Sequence, residues 1–282
     1  MQALVRVFVA AMQNYLPDAF LFAVMLTFVV FLAALGVTSA GCMDIIQAWG
    51  DGLWGILGFA MQMILIVVTG HTMAISRPVK SLLRALASIP ETPAGAGMLC
   101  ALVAGVCSWI NWGFGLIVAA LLARELARQV RDLDYGYVVA AGYAGFVVWH
   151  GGLSGSIPLA VATGGHLVET LTGLIPTPAT IFASQNLIIS GLMILSLPLV
   201  FKFMCPTGGD VRTVDPALLV DPDEPEEPRE KTVAEKLEYS RTITALLGLM
   251  GVTYLVRYFY LHGIMNLSLN IVIFVFMWLG II

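Results

Sequence analysis

Apolar residues run through this chain in long blocks, and the polar ones gather in the gaps between them. The first block, Leu16–Val37, is about 22 residues, long enough to cross a bilayer and longer than the apolar core of a cleavable signal. It is entered through Tyr15-Leu16-Pro17-Asp18. A loop is expected over Thr38–Gly52, which holds Asp44 and Asp51 and no Lys or Arg. A second block, Leu53–Ile75, closes on Arg77, Lys80 and Arg84. Positive charge next to a span marks the cytoplasmic side, so this basic loop and the N-terminus with Arg6 are assigned inside, and the Asp44 loop outside.

The next two blocks are interrupted. Ala94–Leu122 is apolar for about 29 residues, too long for one straight crossing. It is broken near its centre by Asn111-Trp112-Gly113-Phe114-Gly115 and flanked on both sides by positive charge, with Arg124, Arg128 and Arg131 following it. A single crossing would put one basic cluster outside. A re-entrant helical hairpin over 94–123, turning at the Asn-Trp-Gly-Phe-Gly break, keeps both inside. The block from Tyr137 stops at Trp149, gives way to His150-Gly151-Gly152-Leu153-Ser154-Gly155-Ser156, resumes over Ile157–Ala162 and dissolves at Thr163-Gly164-Gly165-His166. So many glycines do not make a uniform helix. Unpaired backbone at membrane depth is tolerated only inside protein or along a wet cavity, so 137–162 reads as a broken transmembrane helix.

A further span over 181–201 leads to a charged cytoplasmic linker, 202–241. Its Pro/acidic stretch Asp221–Pro228 is expected to be extended, and a short surface helix is expected over Glu230–Arg241. A span over Thr242–Leu261 and an apolar run from Leu267 follow. The fold class is all-α: a polytopic integral membrane protein, with one membrane repeat over 1–201 and the start of a second over 242–282.

Composition sharpens this picture. The chain is 59% hydrophobic and 11% charged, too little charge to cover a soluble domain of 282 residues. Six of the 14 Lys/Arg and ten of the 18 acidic residues lie between Lys202 and Arg241, so the net charge of −4 is a property of the linker. No basic stripe suggests nucleic acid. Cys42, Cys100, Cys107 and Cys205 form no metal or redox spacing and read as packing residues. No Gly-x-Ser-x-Gly elbow, His-Glu-x-x-His or Walker loop is present, so the chain is not expected to be an enzyme, and no cofactor is implied.

Two glycine-rich breaks inside apolar segments point to a transporter's binding site, because broken helices expose their ends at the midplane. Helix ends attract anions, and freed carbonyls with hydroxyls can hold Na⁺. The candidates for substrate and ion binding are Asn111, Trp112, Gly113 and Gly115 at the first break, and His150, Gly152, Ser154, Gly155 and Ser156 at the second. A coupling Na⁺ would sit near Asn111, Ser154 and Ser156, and the glycines would permit unwound backbone. The plainer reading is that the glycines serve close helix packing. His150 is either a proton relay or a neutral, hydrogen-bonded interior imidazole. Trp109, Trp112 and Trp149 either wall an alkyl chain or simply pack. Gln62, within the second span, needs a polar partner.

Several runs resemble the bacterial short-chain fatty acid transporter family. They are Trp49-Gly50-Asp51-Gly52-Leu53-Trp54, Phe59-Ala60-Met61-Gln62-Met63 with Val68-Thr69-Gly70-His71, Pro78-Val79-Lys80-Ser81-Leu82-Leu83-Arg84, Ile110-Asn111-Trp112-Gly113-Phe114-Gly115-Leu116 and Gly151-Gly152-Leu153-Ser154-Gly155-Ser156-Ile157-Pro158-Leu159. The resemblance covers essentially the whole chain in order. It implies uptake of short-chain monocarboxylates such as butyrate or acetoacetate across the bacterial inner membrane, coupled to a Na⁺ or H⁺ gradient. It also implies kinship with carriers built from inverted repeats with re-entrant hairpins. Members of the family are longer, with a second half adding another hairpin and broken helix. This implies that the chain is a truncated N-terminal portion holding half of the site, which a homodimer would have to complete. Members do not always carry His at the position of His150, so the resemblance does not make it an obligatory proton carrier. The competing expectation is a membrane packing fragment that does not transport.

Overall fold

The computed structural model describes residues 2–166, 168–208, 211–219 and 240–281, and every regular element among them is helical. Among the described residues, six helical stretches are long and apolar enough to cross a bilayer: Ala19–Val37, Leu57–Ala74, Pro93–Ile110, Tyr135–Val161, Ser184–Met204 and Arg241–His262. The chain forms two compact units, Met1–Met61 and Gln62–Ile282. The expected acidic stretch, and the expected surface helix except for Ser240 and Arg241, lie outside the described residues.

The first unit holds α1 (Gln2–Tyr15), α2 (Ala19–Val37) and α3 (Cys42–Gly55), and α4 (Leu57–Ala74) begins in it. Asp18 caps α2, its carboxylate accepting the Phe20 N–H at 2.8 Å. No residue of α2 is buried, although the helix is apolar on all sides, which suits a lipid solvent and not water. The loop expected over Thr38–Gly52 is instead mostly α3. Ile45, Ile46, Trp49 and Leu53 recur at helical spacing there. Asp44 closes the first turn by accepting the Gly41 N–H at 3.0 Å, where a negative charge favours a helix start.

The second unit is built around α6 (Pro93–Ile110) and α7 (Trp112–Gln129), which run antiparallel and are joined through Asn111 alone. Thr92 caps α6 by accepting the Gly95 N–H at 3.1 Å, and Pro93 supplies the preset first turn. α5 (Arg77–Ala87), α8 (Tyr135–Ala144) and α11 (Ser184–Met204) close around this pair. The core they share includes Leu83, Ala96, Cys100, Ala101, Val118, Leu122, Leu126, Val138, Ala141 and Phe201. The small residues of α6 let backbones approach closely, the usual means of helix association where lipid offers no hydrophobic drive. Cys100 is part of this packing, and just past α11 burial pushes the Cys205 thiol up from its ordinary range.

Past α8 the chain tightens into a 3₁₀ segment, Gly145–Gly151, and then crosses Gly152–Gly155 to the short α9 (Ser156–Val161). After α10 (Glu169–Thr172) and α11, α12 (Arg241–His262) and α13 (Leu269–Ile281) end the chain. α13 packs with Ile66 of α4, Leu159 of α9 and Ile181 in a second core containing Leu269, Val272, Ile273 and Phe276. Gln62 finds its polar partner here, donating to Asn270 Oδ1 at 2.7 Å.

The two basic clusters meet at one end of this unit. Glu125 bridges Arg128 at 2.7 Å and Arg84 at 4.0 Å, and Arg128 also donates to the Leu219 carbonyl. One end of this unit thus gathers Arg84, Arg124 and Arg128.

Candidate functional site

Asn111 is fully buried and makes the turn of the hairpin by itself. Its backbone is extended, φ −149° and ψ 120°, and its side-chain Oδ1 accepts the Phe114 N–H at 2.9 Å, capping α7. The break is therefore one residue long. Trp112–Gly115, expected within the interruption, form the first turn of α7 instead. Gly113 and Gly115 provide room and not unwinding. A Cβ on Gly113 would stand 2.8 Å from the Ile66 carbonyl oxygen of α4, and one on Gly115 would stand 2.5 Å from the Ser108 backbone nitrogen.

The second break is longer and depends on its neighbours. The Leu153 N–H donates to the Trp109 carbonyl at 2.7 Å, satisfying a C-terminal acceptor of α6. The buried Ser154 hydroxyl accepts the Trp112 N–H at 2.9 Å, satisfying an N-terminal donor of α7. The two interruptions thus pair each other's orphaned backbone groups. Gly152 makes the approach possible: a Cβ there would lie 2.8 Å from the Trp109 Cα and carbonyl carbon. Gly155 folds back under the His150 carbonyl, 2.5 Å from where its Cβ would be. On the far side, the Asn186 side chain of α11 donates to the Gly151 carbonyl at 2.9 Å and to the Ile181 carbonyl at 2.8 Å.

Asn111, Trp112, Gly152 and Ser154 therefore come together through these bonds. Gly113, Gly115 and Gly155 line the same packing. Ser156 turns to α4, its hydroxyl donating to Met63 Sδ at 3.2 Å. His150 lies against Trp149, ring centroids 3.8 Å apart, with its Nδ1 buried and unpartnered. Trp112 meets Trp149 edge to face at 5.5 Å and Phe146 at 6.2 Å.

The bonds made also define what is left over. The oxygens of Asn111 and Ser154 already each accept one N–H. Asn111 Nδ2, Trp112 Nε1 and Ser108 Oγ are buried with no hydrogen-bond partner. The first two can only donate, and a hydroxyl can donate too. Buried donors without partners are uncommon in native proteins and cost about 1–3 kcal/mol each.

Sequence reasoning did not single out Ser108, Asn186 or Ser190. Ser190 is buried beside Gly151, 2.5 Å from where a Cβ on that glycine would sit. A signal was available: Asn186 and Ser190 stand four apart, on one face of an otherwise apolar span.

Comparison with known proteins gives the following matches. The short chain fatty acid transporter family matches residues 1–282. A protein of Escherichia coli K12, provisionally named a short-chain fatty acid transporter, is 43% identical over 272 residues, covering 96% of this chain and 62% of its own length. A protein of Haemophilus influenzae Rd with the same provisional name is 40% identical over 279 residues, with the same coverage of each chain. The chain thus spans 62% of the length of both curated relatives. No solved structure gives a significant match.

Proposed function

The chain belongs to the short chain fatty acid transporter family, and on that premise we propose that its two clasped breaks are part of the carboxylate site of a secondary carrier. It is an all-helical, multi-pass membrane protein of a transporter family, not of an enzyme family. The substrates in this reading are short-chain monocarboxylates such as butyrate or acetoacetate, and the membrane is the bacterial inner membrane. The N-terminus and the basic end are cytoplasmic, and α6–α7 is a re-entrant hairpin entering from that side.

One observation carries the reading: unpartnered donors are buried where the two breaks pair. Asn111 Nδ2, Trp112 Nε1 and the Ser108 hydroxyl offer N–H and O–H to a carboxylate, whose two oxygens accept and never donate. The N-terminus of α7 adds a positive dipole end. Backbone fixed this way at membrane depth is also the construction that carriers use to hold an ion midway across. A coupling Na⁺ needs free oxygens, which the second lone pairs of Asn111 Oδ1 and Ser154 Oγ, together with Ser156 Oγ, can supply. If H⁺ is the coupling ion, His150 is the titrating group within reach of the break.

Uptake of labelled butyrate by proteoliposomes holding this chain, under imposed Na⁺ and proton gradients in turn, tests the proposal. Uptake driven by one gradient and lost in Asn111→Ala supports it and identifies the ion. Correctly inserted protein that neither binds nor moves butyrate counts against it.

A further inference from the structure

The 3₁₀ winding of Gly145–Gly151 does more than interrupt a helix. With three residues to a turn, side chains at i and i+3 eclipse each other. Tyr143, in the last turn of α8, and Phe146 and Trp149 within the 3₁₀ segment stand three apart. Their rings form a row: Tyr143 to Phe146 is 6.1 Å and Phe146 to Trp149 is 4.9 Å, stacked at 28°. In α winding, three residues advance about 300° and the row would fan out by about 60° at each step. Within the segment, 3₁₀ winding keeps Phe146 and Trp149 in register, and Tyr143 of α8 extends the row.

The row ends on Trp112, whose ring meets Trp149 at 5.5 Å and Phe146 at 6.2 Å. Trp112 also carries one of the buried donors without a partner, and the fully buried Asn111 next to it carries another. Trp112 therefore links the aromatic row to the residue pair that carries two of the buried donors. At its other end the track opens, with Tyr143 exposed. Donors at the closed end and apolar rings running away from them match an amphiphile with one charged end and a short alkyl tail.

We propose that this row receives the alkyl tail of the carboxylate, with the head at Asn111 and Trp112 and the tail laid along Trp149 and Phe146 toward Tyr143. The length of the row then sets the preferred chain length. The proposal rests on the carboxylate-carrier reading. Each methylene laid against the rings strengthens binding about fourfold, until the tail passes Tyr143 and the gain stops.

The test is competition against labelled butyrate by acetate, propionate, butyrate, valerate, hexanoate, octanoate, decanoate and dodecanoate, on the purified 282-residue chain, a series long enough for its last members to pass Tyr143. Wild type should show the stepwise gain and then a plateau. Phe146→Ala should flatten the steps, changing the valerate-to-acetate ratio at least tenfold. Phe146→Leu, which keeps apolar bulk and hence the fold, should change it in the same direction. If both variants weaken every acid by one common factor, or leave the steps as in wild type, the row does not select chain length and the carrier reading stands alone. If the wild-type chain binds none of these acids, both readings fall together.

Discussion

The hairpin turn and the α8–α9 break interrupt helices at neighbouring places in one unit, yet they are built in opposite ways. The hairpin turns on one residue, Asn111, which caps the helix it begins by accepting the Phe114 N–H from that helix's first turn. The second break takes up 3₁₀ winding from Gly145 and stays irregular to Gly155. Its bonds to other elements come from outside: Trp109 and Trp112 on one side and Asn186 on the other. The Asn111 cap persists without the second break, although Trp109 and Trp112 lose their partners when the two separate. A break held by neighbours is free to rewind when they leave. The difference predicts rigidity at the hairpin tip and conformational change at 145–155.

Several substitutions can break or sharpen that contrast. The largest effect belongs to Gly152→Ala, whose Cβ meets the Trp109 backbone and not a yielding side chain. It should drive the two breaks apart and abolish butyrate binding, whereas Gly164→Ala, in open space, should leave binding as in wild type. Equal effects would mean that close approach is not what Gly152 provides. Next comes Asn186→Ala, which removes the donor to the Gly151 and Ile181 carbonyls and should cost about 1–3 kcal/mol, read as a lowered thermal midpoint. Hydrogen exchange should then rise in 145–155 and not at the hairpin tip. A uniform rise across both would contradict the assignment of rigidity. Smallest is the Gln62–Asn270 pair, a single hydrogen bond outside the breaks. A double-mutant cycle with Gln62→Ala and Asn270→Ala should give a coupling of about 0.6 kcal/mol.

Much of this was legible beforehand, for identifiable reasons. Block lengths and the placement of Arg77–Arg84 and Arg124–Arg131 pointed to a helical hairpin, because charge clusters report on sidedness without any knowledge of packing. The break at 150–156 was legible because glycine and serine crowd into an apolar run. The extent of each break was not. Trp112–Gly115 reads as a glycine-rich interruption, but glycine in a helix that meets another backbone looks the same in sequence as glycine in a turn. Only the contacts of Gly113 with Ile66 and of Gly115 with Ser108 tell the two apart. The 3₁₀ segment was hidden for the converse reason, since Phe146, Val147 and Val148 are ordinary apolar residues and the winding follows from the tertiary hold on Gly151 and Leu153. α3 was missed because its three glycines and two aspartates outweighed the helical spacing of its apolar residues.

The direct test of the clasped breaks as a carboxylate site is equilibrium binding of labelled butyrate to wild type, Ser154→Ala and Asn111→Asp. Asn111→Asp keeps an oxygen to cap α7 but replaces the free donor with an acceptor, so it separates the turn from the site. Saturable binding by wild type, weakened at least tenfold in both variants at unchanged helix content, is the expected result. Wild-type affinity retained in both would contradict the assignment of the carboxylate to this place.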